Sequence, residues 1–167
     1  MDIKKLYEKG ITFEQFMSQD DGTYREKILE IYNNIEIDNT LLDKIKSIHK
    51  EINVLVFAEI WCPDCVINLP ALRKICDINK AVNMKIVPRE GNEQYLEEYK
   101  IDGKAKIPTF IFMDDDFKPI GTFIEIPRVI GEIVGKGNQV DIIVAKRKYR
   151  KGEFTKDTIK DILKIIS

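Results

Sequence analysis

Histidine and cysteine, the side chains that most often bind transition metals, are scarce in this chain. It has one histidine and three cysteines among 167 residues. A structural zinc site normally uses four such ligands. Three cysteines cannot all pair with one another, and a reducing compartment disfavours structural disulfides. A zinc site would have to use all four of these side chains, so we expect no metal site and no disulfide framework, and a close pair of cysteines favours thiol chemistry over a structural disulfide.

The chain also lacks an excess of charge of either sign and a long apolar run. Lys and Arg number 27 against 28 for Asp and Glu, a net charge of -1, whereas nucleic-acid-binding proteins usually carry a strong basic excess. The most apolar run, residues 53–61, is interrupted by Glu59 and is shorter than a membrane span. The first residues carry mixed charge without an apolar segment of signal-peptide length. We therefore expect a cytoplasmic protein that binds neither nucleic acid nor membrane.

Three zones follow one another along the chain, whose length suits one domain with helical additions. Residues 1–51 space their apolar side chains three and four positions apart, which predicts a helical N-terminal extension packed on the core. Residues 52–127 change to apolar β-branched runs between helical patterns, which predicts the core itself. Residues 128–167 are helical again and are expected to complete the same domain. The clearest apolar stripe of the first zone consists of Tyr24, Ile28, Ile31, Tyr32 and Ile35.

The central zone has the pattern of alternating strands and helices. Its first segment, residues 52–58, is apolar and β-branched, as expected of a strand buried on both faces. The order strand, helix, strand, helix, strand, strand predicts a parallel pair joined by a crossover and extended by an antiparallel hairpin. The expected fold class is therefore α/β, with a mixed central sheet flanked by helices. The predicted elements are strand 52–58, helix 62–79, strand 84–87, helix 93–99 and hairpin strands 109–113 and 120–125.

Two cysteines lie at the point where the first predicted strand gives way to a helix. The segment reads Trp61-Cys62-Pro63-Asp64-Cys65, and cysteines at this spacing on the first turn of a helix can reach each other. Unpaired backbone N–H groups and the positive end of the helix dipole favour a thiolate at the first position. Because a thiolate is the species that attacks a disulfide, Cys62 is the predicted nucleophile. Cys65, one turn deeper, is the predicted resolving thiol.

This segment resembles the active site of the thioredoxin family, and Ile107-Pro108-Thr109 resembles the cis-proline segment of that family. The resemblance covers roughly residues 42–127 and implies a thioredoxin-like fold with extra helices at both ends. It also implies that a cis X-Pro bond turns the preceding backbone toward the cysteine pair, where it can pair with a substrate strand. The apolar contact surface for substrate would then be formed by Trp61, Pro63, Ile107 and Pro108.

The activity that the resemblance implies is thiol–disulfide exchange at a redox-active pair of cysteines. The expected reaction is reduction of a disulfide-containing protein or small molecule, since a cytoplasmic setting favours the reductive direction. No organic cofactor is implied, and the electrons would come from a reductase or a small thiol. The alternative is a binding or adaptor module that keeps the fold and uses its helical extensions to hold a protein partner.

Two positions depart from the commonest family pattern. Pro63-Asp64 stands between the cysteines where Gly-Pro is most frequent, and the motif resembles that of a smaller thioredoxin-related subgroup. The charge of Asp64 is expected to raise the pKa of Cys62 relative to a neutral residue. The family usually carries a buried Asp as a proton relay on the preceding strand, where this chain has Val56. Glu59 is the candidate substitute, and the alternative is an ordinary solvent-facing acid.

The other cysteine and the basic segments have simpler explanations. A zinc site built on the two neighbouring cysteines could add only Cys76 and His49, and Cys76 is expected to be a buried core thiol. The basic run at residues 146–151 is interpreted as the solvated end of a helix, with a docking surface for an acidic partner as the alternative. Glu125 and Arg128 would either select substrate or cap the next helix.

Overall fold

Four short helices precede the first strand. The computed structural model describes residues 2–167, so the first residue of the predicted zone 1–51 lies outside the described part. The helices are α1 Ile3–Lys9, α2 Phe13–Met17, α3 Thr23–Asn34 and α4 Asn39–Lys46. Side-chain caps define where three of them begin. The Asp2 carboxylate accepts from the N–H of Lys4 in α1, Thr12 and Gln15 form a reciprocal capping box in α2, and Asp38 caps α4.

A four-stranded mixed sheet lies at the centre of the fold. Its strands are β1 Ile52–Phe57, β2 Val82–Val87, β3 Thr109–Met113 and β4 Pro119–Ile124. They lie in the order β2-β1-β3-β4, with β1 parallel to β2 and antiparallel to β3, and with β4 antiparallel to β3. All six residues of β1 are buried, as its continuous apolar sequence predicts. The expected α/β class with a mixed sheet and additional helices at both ends is confirmed.

The remaining helices connect the strands and close the chain. They are α5 Pro63–Ile78 between β1 and β2, a 3₁₀ helix Glu93–Tyr99 between β2 and β3, and α6 Arg128–Gly135, α7 Gln139–Arg150 and α8 Thr155–Ile166 after β4. Helix α5 is central to the packing, since it contacts α3, α4, α7, α8 and β2. The cysteine segment therefore leads into α5, the helix that packs against both the sheet and the helices from the two ends of the chain.

Element boundaries differ from the sequence-based ones in a few places. The second strand begins at Val82 rather than residue 84, because Val82 pairs with Ile52 at the start of the parallel register. The helix predicted over residues 93–99 has these bounds and is of the 3₁₀ type. The last strand ends before Glu125, whose φ of 66° lies in the left-handed region and turns the chain out of the ladder.

The N-terminal helices lie against the rest of the molecule and share its hydrophobic core. Ile28 and Ile31 of α3 are 0% and 2% exposed, and this helix packs against α5. The Tyr32 hydroxyl donates to the Asp77 carboxylate of α5 at 2.5 Å. Tyr24, which the spacing places on the same stripe, is 42% exposed in the first turn of α3, so its assignment to the buried face was wrong.

A pair of neighbouring substitutions tests whether α3 stabilises the core. Ile28→Ala should lower the free energy of unfolding by about 2–5 kcal/mol, because it removes a fully buried side chain and leaves a cavity. Leu29→Ala is the matched control on the same helix, since Leu29 is 41% exposed and should cost no more than about 0.5 kcal/mol. Urea denaturation curves of both variants give the values. Equal losses for the two would contradict docking of α3.

Candidate active site

Cys62 occupies the N-terminal boundary of α5, immediately before Pro63. Proline suits this first helical position, because the N–H that it lacks has no partner within the helix. The Cys62 N–H donates to the Glu59 carbonyl at 3.1 Å, and its own carbonyl accepts from Val66 at 3.0 Å. The thiol lies 3.7 Å from the Ile107 carbonyl oxygen as a donor. The sulfur is thus held between the start of α5 and the loop that precedes β3.

The two cysteines of the segment differ in acid strength. The pKa of Cys62 is lowered to about 7, chiefly because Cys65 hydrogen-bonds to its sulfur, with burial and the Asp64 charge opposing. Burial raises the pKa of Cys65 well above its ordinary value. Cys62 is 6% exposed and Cys65 is 1% exposed. Cys62 is therefore the more accessible and the more acidic of the pair, in agreement with the expectation from sequence, and both thiols are free.

The loop before β3 lies across from the cysteines. Its Ile107–Pro108 peptide bond is cis, as predicted, and the Pro108 carbonyl accepts from the Glu125 N–H at 2.8 Å. The side chains of Ile107 and Pro108 are buried, whereas Pro63 is exposed and Trp61 is 52% exposed. Of the four residues expected to contact substrate, Trp61 and Pro63 are open to solvent, and Ile107 reaches Cys62 through its carbonyl group.

Glu59 lies in the loop between β1 and α5. Its carboxylate oxygen Oε1 is buried and has no hydrogen-bond partner among residues 2–167. The residue lines a cavity of about 130 Å³ together with Phe16 and Gln19 from the N-terminal region and Trp61. The Glu59 group that lowers the pKa of Cys65 is its backbone N–H. The structure therefore places Glu59 next to the cysteine segment, with one buried carboxylate oxygen and a cavity that the residue helps to line.

Beneath Asp64 lies a buried hydrogen-bond network that the sequence analysis did not identify. The Tyr149 hydroxyl of α7 donates to Asp64 Oδ1 at 2.7 Å, and Asn68 Nδ2 lies 2.7 Å from the same hydroxyl. Asn68 Nδ2 also donates to the Glu125 carbonyl at 3.0 Å, and its Oδ1 accepts from Thr158 of α8 at 2.9 Å. The only sign of this network in the local sequence is an asparagine one turn after Cys65. Tyr149 lies within the basic run at residues 146–151, whose pattern indicates an exposed end of a helix.

The charges of Glu125 and Lys106 act on the Asp64 carboxylate. Burial raises the pKa of Asp64, the Tyr149 hydrogen bond lowers it, and the charges of Glu125 and Lys106 act in opposite directions. Lys106 Nζ and Glu125 Oε2 are 3.3 Å apart and form an ion pair between the cis-proline loop and the segment after β4. Glu125 therefore contributes both its backbone and its side chain to the walls of the site.

The remaining candidates lie away from this site. Cys76 is 8% exposed in the core, and burial raises its pKa to about 12, so its expected role as a core thiol is confirmed. The basic run falls in the last turns of α7 and is exposed except for Tyr149. Arg128 begins α6, and its N–H donates to Asp161 at 2.7 Å.

Within residues 2–167, no three side chains of His, Cys, Asp or Glu lie close enough together to hold a metal ion. None of the helices described here is long and apolar enough to cross a membrane.

Solved structures with the same architecture include two that match almost the whole chain. A protein of unknown function from Pseudomonas aeruginosa is 24% identical, with a TM-score of 0.87 over 99% of this chain and 97% of that one. An HIV epitope scaffold is 23% identical, with a TM-score of 0.86 over 99% of this chain and 98% of that one. At these identities the likeness shows the fold alone.

The match to a protein family is broader than the cysteine segment. A family model described as thioredoxin matches residues 10–148, which run from the end of α1 into α7. Mitochondrial thioredoxin 3 from Saccharomyces cerevisiae is 20% identical over 64% of this chain and 98% of its own, with a TM-score of 0.38. No curated protein matches. Because the family model spans most of the chain, including helices that precede and follow the strands, this protein belongs to the thioredoxin family.

Proposed function

We propose that this protein is a thiol–disulfide oxidoreductase that reduces protein or small-molecule disulfides. The observation that carries the proposal is the difference in pKa between the two cysteines. At neutral pH a pKa of about 7 makes a large fraction of Cys62 thiolate, whereas burial keeps Cys65 protonated. The Cys62 sulfur can therefore attack a substrate disulfide while Cys65 stays protonated until the second step, as two-step disulfide exchange requires. Membership of the thioredoxin family supports the same reading.

The proposed reaction proceeds through a mixed disulfide. The Cys62 thiolate attacks one substrate sulfur, the substrate S–S bond breaks, and the other substrate sulfur leaves as a thiolate that takes up a proton. Cys65 then loses its proton and attacks the Cys62 sulfur, which releases the second substrate thiol and leaves a Cys62–Cys65 disulfide. The substrate gains two electrons and two protons, and the protein dithiol loses them. A reductase or a small thiol such as dithiothreitol restores the dithiol.

The second step requires a base, because burial raises the pKa of Cys65. Val56 on the preceding strand cannot accept a proton, so we assign this role to Glu59. Its Oε1 is buried without a partner among residues 2–167. The cavity of about 130 Å³ that Glu59 helps to line is large enough for water that would carry the proton. The carboxylate would act through such water rather than by direct contact.

The surface around Cys62 favours a restricted set of substrates. Cys62 is only 6% exposed, so a substrate disulfide must fit closely against Trp61 and Pro63 to reach its sulfur. The Asp64 charge beside the sulfur disfavours acidic substrate segments. A range narrower than that of a general thioredoxin follows from this combination of limited access and local negative charge.

A second candidate function is a binding or adaptor module. It is favoured by one observation, the exposed apolar side chains of α7. Val140, Ile143 and Val144 are 70%, 57% and 44% exposed and precede the basic turns of the same helix. A module of this kind would hold a partner without turning over a disulfide. Steady turnover with a reductant therefore distinguishes the two functions.

Alkylation as a function of pH tests the acidity of the nucleophile. The rate of reaction with limiting iodoacetamide should rise with pH to a half-maximum near pH 7, because only the thiolate reacts and the pKa of Cys62 is about 7. Peptide mapping should place the label on Cys62. Label on Cys65 or Cys76 in the folded protein would exclude Cys62 as the attacking residue.

Cysteine substitutions test the two-step reaction. With dithiothreitol as reductant, the wild-type protein should reduce insulin repeatedly, although more slowly than a general thioredoxin under the same conditions. Cys62→Ser should abolish turnover, because the attacking sulfur is missing. Cys65→Ser should accumulate a covalent mixed disulfide with the substrate that is visible by mass spectrometry. Cys76→Ser is the control and should retain turnover. A Cys62→Ser variant as active as the wild type would refute the mechanism.

Substitution of Glu59 tests the proton acceptor. Glu59→Gln should slow release of the mixed disulfide on the order of 10²-fold, because the amide cannot accept the Cys65 proton. The first attack by Cys62 should keep its rate. Stopped-flow measurement of the two phases separates these effects. Glu36→Gln, at an exposed site, is the matched control. Equal release rates in the Glu59 and Glu36 variants would remove Glu59 from the mechanism.

A further inference from the structure

Tyr149 connects the C-terminal helices to the cysteine segment. It is a buried residue in an otherwise exposed basic turn of α7, and it lies 85 positions after the residue that it contacts, Asp64. Asp64 stands between the two cysteines. The contact therefore joins a helix outside the sheet to a residue whose charge acts against the thiolate of Cys62.

The direction of this hydrogen bond follows from the chemistry of its neighbours. Asn68 Nδ2 faces the Asp64 and Glu125 carbonyl oxygens at 2.9 and 3.0 Å, and carbonyls only accept, so this end of the amide must be the donor. The amide nitrogen cannot accept a proton from Tyr149, and its two hydrogens are shared among the two carbonyls and the hydroxyl oxygen. The Tyr149 hydroxyl therefore gives its single proton to the Asp64 carboxylate. Thr158 donates to the other end of the Asn68 amide at 2.9 Å, which holds the amide in this orientation.

The groups that face the Asp64 carboxylate come from four segments. Cys62 and Cys65 lie on its own helix, Lys106 lies in the cis-proline loop, Glu125 follows β4, and Tyr149 lies on α7. The negative charge of Asp64 opposes a second negative charge on Cys62. A hydroxyl proton directed at Oδ1 draws part of that charge away from the sulfur, as charge-assisted hydrogen bonds do.

We propose that Tyr149 is a positioning residue: its hydroxyl holds the Asp64 carboxylate, so that helices α7 and α8 set how strongly Asp64 opposes the Cys62 thiolate. The proposal rests on the proposed function in one respect, that Cys62 is the nucleophile. Loss of the hydroxyl proton leaves the carboxylate with a less compensated charge beside the sulfur. The thiolate then becomes less stable, and less of it is present at neutral pH.

A double-mutant cycle on the reduced protein tests this coupling through the thiolate absorbance. Tyr149→Phe keeps the ring and should raise the pKa of Cys62 by roughly half a pH unit. Asp64→Asn removes the charge and should lower the pKa of Cys62. Tyr149→Phe added to Asp64→Asn should then change the pKa no further, because the hydroxyl no longer faces a charge. An unchanged or lower pKa in Tyr149→Phe, or an equal shift in both backgrounds, would overturn the proposal.

Tyr32→Phe is a matched control for this cycle. It removes the same kind of bond, a tyrosine hydroxyl donating to an aspartate of α5, but Asp77 lies at the far end of that helix. It should leave the titration of Cys62 unchanged, and a shift as large as that of Tyr149→Phe would overturn the proposal. The titration does not require turnover. Failure of insulin reduction would therefore refute the proposed function while leaving the role of Tyr149 open to the same measurement.

Discussion

The arrangement of the site depends on the junction at which β1 ends and α5 begins. β1 is paired on both edges and all of its residues are buried, so close packing on every side fixes its end. In the short loop after β1, the Cys62 N–H donates a hydrogen bond to the Glu59 carbonyl. This turn places the sulfur at the N-terminus of α5. Backbone N–H groups there have no helical partners, so a negative sulfur is favoured. The cis-proline loop and the residues after β4 are arranged around this position.

Helices outside the sheet take part in the same site. Phe16 and Gln19, from the N-terminal region, line a cavity together with Glu59. Tyr149 and Thr158, from α7 and α8, complete the hydrogen bonds beneath Asp64. The additions at both ends of the chain are thus more than supports for the sheet, because they provide polar groups within reach of the cysteine segment.

Much of the fold could be predicted because its strands are continuous apolar runs and its helices have clear periodicity. β1, β3 and α5 lie within one residue of the predicted bounds. The errors occur where the outcome depends on residues that are distant in sequence or on backbone conformation, which a local pattern does not contain. Val82 joins β2 because Ile52 lies opposite, and Tyr24 has the right spacing for burial but lies in an exposed first turn. The end of β4 depends on the left-handed conformation of Glu125, which no spacing rule indicates.

The chemistry of the site divides in the same way. The sequence by itself determined that two cysteines lie at helix spacing after a buried strand, and that an Ile-Pro segment follows. These features depend only on neighbours along the chain. Only the tertiary structure decided that Asp64 is held by Tyr149, that Asn68 bridges three elements, and that Glu59 lines a cavity with residues of the N-terminal region. These contacts join residues up to 90 positions apart. Hydrogen bonds over such separations leave no periodic signal in sequence, because their partners are chosen by the packing of the folded chain.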